Sequence, residues 1–180
     1  MRKIVAGLQV TLDGVIETPE RWNGPYFSPE LGQIIGSLIG AGDTLLLGRV
    51  TYQTFAAAFG GQSGGIAGQM NNARKVVVST TLDRADWQNS TLIKSDVADE
   101  IARLKQQPGT NINVSGSATL LSWLLRQGLV DELHLLVMPV VVGQGKRLFA
   151  GDGNPVPLTL IRSDALSNGV LYLVYKPADS

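Results

Sequence analysis

Apolar positions alternate at Ile4, Ala6, Leu8 and Val10, so residues 3–10 read as a buried strand. Asp13-Gly14 then marks a turn. Ser28 before Pro29 is an N-cap and a first helical position, and Leu31, Ile34, Ile35, Leu38 and Ile39 form that helix's apolar stripe. Asp43 to Leu47 is too short and too apolar for a helix and reads as a strand ending at Gly48. Thr51 to Phe59 follows as a second helix. Five glycines in the nine residues Gly60–Gly68 predict a mobile loop. Lys75 to Ser79 carries three consecutive valines and reads as a strand. A third helix starts near Asp96, repeats Val97, Ile101 and Leu104, and stops at Pro108-Gly109. Ile112 to Val114 is a strand; Gly116-Ser117 turns into a helix with Leu120, Leu121, Leu124 and Leu125 on one face, ending at Gly128. Leu133 to Met138 is a further strand, and residues 157–166 and 170–176 flank Ser167-Asn168-Gly169 as a hairpin.

Strands that alternate with helices imply right-handed crossovers and a largely parallel central sheet, with the hairpin adding antiparallel strands at an edge. Neither a linker nor an internal repeat interrupts the pattern, so residues 1–180 read as one α/β domain. The 180 residues are 44% apolar and 17% charged, enough to build a core and too apolar for a disordered chain. Fifteen basic and fifteen acidic residues leave no positive excess to bind a nucleic-acid backbone. The absence of cysteine removes disulfides, thiolate nucleophiles and thiolate metal sites, and a single histidine leaves no clustered ligands for a metal. No apolar run reaches membrane-spanning length, and the expectation is a cytoplasmic protein.

Open α/β sheets bind ligands where loops leave the carboxyl ends of strands. Gly48-Arg49-Val50-Thr51-Tyr52 and Gly116-Ser117-Ala118-Thr119 each follow a strand and open a helix. Helix N-termini offer free N–H groups and a partial positive charge, glycine permits close approach, and Arg49, Thr51, Ser117 and Thr119 add charge and hydroxyls suited to phosphate. The plainer reading is that these residues turn the chain and cap helices; two such segments together favour a dinucleotide. Gly143-Gln144-Gly145-Lys146-Arg147 matches neither a Rossmann fingerprint nor a Walker loop. It reads as a connecting loop with a buried Phe149. Gly61-Gln62-Ser63-Gly64-Gly65 fits G-x-S-x-G but lacks the preceding strand that a hydrolase requires, and His134 reads as structural. Asp131-Glu132 reads as a pair of solvated residues at a strand start. Glu30, after the aromatic stretch Trp22 to Phe27, is suited to bind a ring nitrogen or relay a proton. An acid in a helix's first turn is also favoured by electrostatics alone.

Val10-Thr11-Leu12-Asp13-Gly14 and Gly48-Arg49-Val50-Thr51-Tyr52 resemble segments of the dihydrofolate reductase-like superfamily. Val114 to Leu121, Gly128 to Leu133 and Pro139 to Phe149 resemble the RibD C-terminal, riboflavin-biosynthesis reductase domain. The resemblance implies a three-layer fold with helices on both faces of a mostly parallel sheet and an NADPH-dependent reductase activity. It places Gly48, Arg49 and Thr51 at the cofactor phosphates and Ser79 and Thr80 near the 2′-phosphate. Gly116, Ser117, Ala118, Thr119 and Leu120 would cradle the pyrophosphate, and Leu8 and the Asp13-Gly14 loop would lie near the nicotinamide. Glu30 and Asp13 are the candidate catalytic residues. The expected substrate is a small heterocycle or ribosylamine of the 5-amino-6-(5-phosphoribosylamino)uracil type, and a homodimer is implied. Glu30 supports a dihydrofolate or pterin reductase as the alternative. Val15, where riboflavin-pathway members carry lysine, supports a non-catalytic dimeric nucleotide-binding protein.

Overall fold

A computed structural model describes residues 1–149, 151 and 155–178. In chain order the elements are β1 (Ile4–Thr11), α1 (Pro29–Gly40), β2 (Gly42–Gly48), α2 (Arg49–Phe59), α3 (Gly65–Asn72), β3 (Arg74–Val78) and β4 (Ser90–Ile93). They continue with α4 (Val97–Gln106), β5 (Asn111–Val114), α5 (Ala118–Arg126), β6 (Glu132–Met138), β7 (Leu158–Ala165) and β8 (Leu171–Pro177). All eight strands join one sheet in the order β4-β3-β2-β5-β1-β6-β8-β7. Pairing is parallel from β4 through β6 and antiparallel for β6–β8 and β8–β7, with β7 at the edge.

Strand alternation sorts the core into two sides. Ile4, Ala6, Ile112, Val114 and Leu133 face α4 and α5, where Ile101, Leu104, Leu121 and Leu124 close the layer. The opposite side is covered by α1 over Leu136, Met138, Tyr172 and Val174, and by α2 and α3 over Leu45, Leu47 and Val77. The sheet therefore carries helices on both faces, as the alternating pattern predicts.

Two elements depart from the sequence expectation. Gly65–Asn72 is a helix, not a loop, although three of its neighbours Gly60, Gly61 and Gly64 keep the preceding turn open. Its stability is tertiary. Asn71 Nδ2 donates to the carbonyls of Phe59 and Gln62, at 2.8 and 2.7 Å, and Trp87 Nε1 donates to Asn71 Oδ1 at 2.6 Å. Fully buried Lys75 donates to Asn71 O at 2.7 Å, a cation at a helix C-terminus, with its Nζ 4.2 Å from the Trp87 ring centroid. Burial pushes the Lys75 ammonium down to about 8. The second departure is β4, whose four residues alternate too briefly to register as a strand. Its place comes from parallel pairing with β3, Lys75 opposite Ser90 to Val78 opposite Ile93.

Candidate active site at the carboxyl edge of the sheet

β2 and β5 are neighbours, so the turns that follow them meet. Gly48 is the N-cap of α2, with no side-chain cap and no acid in the helix's first turn. Exposed Arg49 follows it, with no hydrogen-bonding or ionic partner among the described residues. On the other turn Gly116 holds φ +119, and its peptide bond to Ser117 is cis. Ser117 Oγ caps α5 by accepting from Leu120 N at 3.4 Å. A Cβ on Gly48 would stand 3.0 Å from Ser117 Cβ, and one on Gly116 3.2 Å from Thr51 Oγ1. Glycine at both positions is what lets the two turns interlock.

Beside this junction lies a cleft of about 600 Å³ over β1 and β5, roofed by α1, α2 and α3. Phe55 and Phe59 of α2 and Ile66 and Met70 of α3 form an apolar wall. Gln9, Glu17, Thr18, Glu20 and Lys146 supply polar groups at the end where β1 leads into its loop. Across the carboxyl edge the candidate residues fall in sheet order: Ser79-Thr80 after β3, then Gly48 after β2, Gly116 after β5 and Leu8 on β1.

Leu8, Thr51, Gly116, Ser117 and Ala118 border the cleft, and buried Gly48 lies against Ser117. Leu8 also belongs to the core beneath α4 and α5. Arg49, Thr80 and Thr119 are exposed and lie outside the cleft lining. The Ser79 hydroxyl is occupied, accepting from Thr81 N at 3.2 Å and Leu82 N at 3.1 Å, which stabilises its own turn. Leu120 packs in the core with 7% exposure.

Neither expected catalytic carboxylate borders the cleft. Asp13 is a staple between loops: Thr11 Oγ1 donates to it at 2.6 Å, Gly143 N at 2.8 Å and Val142 N at 3.2 Å. The Thr11 hydroxyl, then the Gly143 amide, hold its carboxyl down at about 2, so it carries no proton to give at neutral pH. Glu30 is exposed and lines a separate depression between α1 and the hairpin, with Arg162, Asp164 and Tyr172.

Three smaller readings also change or settle. Phe149 is 54% exposed, and Leu148 beside it takes the buried position at 2%. Asp131 is engaged, accepting from Ile4 N and Lys105 Nζ at 2.7 Å each. Glu132 pairs with Lys3 at 2.6 Å and with His134 Nε2 at 3.1 Å, while His134 Nδ1 meets Tyr172 OH at 2.7 Å. His134 is thus structural, as its strand position suggests. The cleft residues that sequence reasoning passed over are the α2–α3 wall, Asn113 and the Glu17–Glu20 segment. Asn113 is 5% exposed, and its Nδ2 donates to the Leu38 and Ile39 carbonyls at 3.0 Å, tying down the end of α1. A polar residue inside the otherwise apolar 112–114 strand was the available signal for it.

Residues 2–172 match the family model of the RibD C-terminal domain. The Bacillus subtilis (strain 168) protein YyaP, itself uncharacterised, is 30% identical over 97% of this chain and 94% of its own length. Among solved structures, a Shewanella sp. PV-4 protein assigned to riboflavin biosynthesis superposes with TM-score 0.80 at 20% identity, covering 99% of this chain and 100% of that one. Dihydrofolate reductase from Enterococcus faecalis, complexed with NADP(H), superposes with TM-score 0.67 at 16% identity, covering 98% and 97%. The fold is dihydrofolate reductase-like, and no helix among the described residues is long and apolar enough to cross a membrane. With the family model matched from before β1 to the start of β8, over nearly the whole chain, this protein belongs to the RibD C-terminal domain family.

Proposed function

We propose that the protein is an NADPH-dependent reductase acting on a small heterocyclic substrate. The observation that carries this reading is the interlocked pair of glycine turns beside an apolar cleft. The residues fit a dinucleotide: glycine at 48 and 116 brings the two turns together, where a Cβ would press on Ser117 or Thr51, and α2 leaves its first N–H groups without a side-chain cap. Arg49 and Thr80, exposed at adjacent strand ends, are the side chains assigned to the phosphates, the 2′-phosphate included. Bound there, NADPH supplies a hydride to an imine-like or carbonyl carbon.

The chain's own part is orientation and exclusion of water. Leu8 positions the nicotinamide end, the Gly116–Ala118 turn holds the pyrophosphate, and Phe55, Phe59, Ile66 and Met70 form the apolar wall of the cleft. Since Asp13 is held ionised and Glu30 stands outside the cleft, the proton that completes reduction comes from solvent. The homodimer belongs to the same proposal, supported by edge strand β7, which exposes Leu160 at 48% and Ile161 at 51%. Fluorescence titration of purified protein with NADPH, with NADH as control, tests the reading. Saturable binding that favours NADPH supports it; no binding at millimolar cofactor overturns it.

A further inference from the structure

We infer that the substrate end of the cleft selects a flat, apolar, phosphate-free molecule bearing a positive charge or N–H donors, and that Glu17 and Glu20 set this preference. The inference rests on the cleft being the reductase site proposed above. Of the charged side chains among the described residues, three line the cleft: Glu17, Glu20 and Lys146. Glu17 and Glu20 lie on the chain that leaves β1 and Lys146 is held beside it, whereas the Gly48–Gly116 junction assigned to the cofactor follows β2 and β5.

Two carboxylates against one ammonium leave this end negative. Neither glutamate is ion-paired among the described residues. Glu17 is fixed instead by a neutral donor, accepting from Lys146 N at 3.2 Å, while Ile16 N donates to Lys146 O at 2.9 Å. Trp22 Nε1 holds the same segment by donating to Glu17 O at 3.0 Å. Its carboxylate charge is therefore positioned but not neutralised. The nearby Arg147 is turned away, its Nε donating to Asp13 O at 3.1 Å.

The rest of the cleft reinforces the choice. Phe55 and Phe59 meet edge to face at 5.7 Å between centroids, and with Ile66 and Met70 they offer a face to a planar ring. A phosphate dianion placed here would lose hydration against an apolar wall and meet two like charges, with a single lysine in return. A cation, or a ring edge rich in N–H, loses less and gains two acceptors. The cofactor's phosphates avoid this conflict because their turns lie at the other end, beside Arg49.

The test uses two probes of matched ring size on the NADPH-loaded protein: the fluorescent cation 6-methoxy-1-methylquinolinium and the anion 1-naphthyl phosphate. The cation is expected to bind saturably and about tenfold more tightly than the anion. The double variant Glu17→Gln/Glu20→Gln is expected to weaken the cation about tenfold, and Glu20→Gln alone about threefold. Glutamine at 17 keeps an oxygen for Lys146 N, and Glu20 has no hydrogen bond to lose among the described residues, so an unchanged thermal midpoint is expected for Glu20→Gln. Equal or tighter binding of the anion, no saturable cation binding, or cation binding indifferent to both variants overturns the inference. NADPH titrated in parallel separates the two ideas. Cofactor binding without cation selectivity sinks only the substrate assignment, whereas glutamate-dependent cation binding without cofactor binding sinks only the reductase.

Discussion

α1 and α2 both begin at short turns on the same side of the sheet's helical cover and end up chemically opposite. At α1 the chain satisfies itself: Ser28 Oγ accepts from Leu31 N at 3.1 Å, Pro29 has no N–H to leave unpaired, and Glu30 sits in the first turn facing the positive end of the helix. At α2 none of this is supplied. Gly48 offers no cap, the first turn holds no acid, and Arg49 adds positive charge to an end already positive. In the reading proposed above, these uncapped N–H groups together with Arg49 receive an anion that comes from elsewhere. The useful signal is the missing cap, which is the reverse of what a search for good helix starts rewards.

Substitutions at these two helix starts, and at the β5–α5 turn that packs against Thr51 of α2, put the distinction at risk, and the largest effect belongs to that turn. Gly116→Val places a branched side chain at φ +119 and against Thr51 Oγ1. Strain of about 1–3 kcal/mol plus a spoiled junction should cost NADPH affinity about a hundredfold, read by fluorescence titration. Arg49→Ala removes one exposed cation and should weaken NADPH about tenfold with the thermal midpoint unchanged. On the α1 side, Ser28→Ala should lower unfolding free energy by about 1 kcal/mol in urea titration, with NADPH affinity unaltered. Cofactor binding that tracked Ser28 and ignored Arg49 would erase the contrast.

Two further changes sharpen it at the low end. The Asp13 carboxyl lies near 2 in the folded chain against an ordinary 3.8, so between these values the unfolded chain binds more protons. Its contribution is complete above about pH 4 and is lost as pH falls toward 2. Thermal midpoints of Asp13→Asn between pH 5 and 2 should accordingly fall less steeply than those of the parent protein. Smallest of all, Glu30→Gln should change NADPH affinity and turnover by less than about twofold. A large loss of turnover would return Glu30 to the reaction.

Much of the architecture was legible along the chain because it follows local rules. The Leu120–Leu125 stripe, the Ser28-Pro29 start and the Asn168-Gly169 turn each carry their structure within a few residues. The glycine-arginine and glycine-serine turns were legible as turns that open helices for the same reason. Gly65–Asn72 was not, since its helix depends on Asn71, Trp87 and Lys75 from three different segments. The surroundings of Asp13 and Glu30 were not legible, because a carboxylate's residue type says nothing about which donors surround it or which surface it faces.

Sequence alone determined the alternating elements, the parallel sheet with its terminal hairpin and the two glycine turns, because periodicity and backbone freedom are properties of neighbouring residues. Tertiary structure decided that β5 inserts between β2 and β1, and so that Gly48 meets Ser117. It also decided that Asp13 is a staple, that Glu30 faces another surface, and that α2 and α3 wall a cleft ending at Glu17 and Glu20. These depend on strand order and on which buried groups find partners, quantities that exist only once distant segments share the same space.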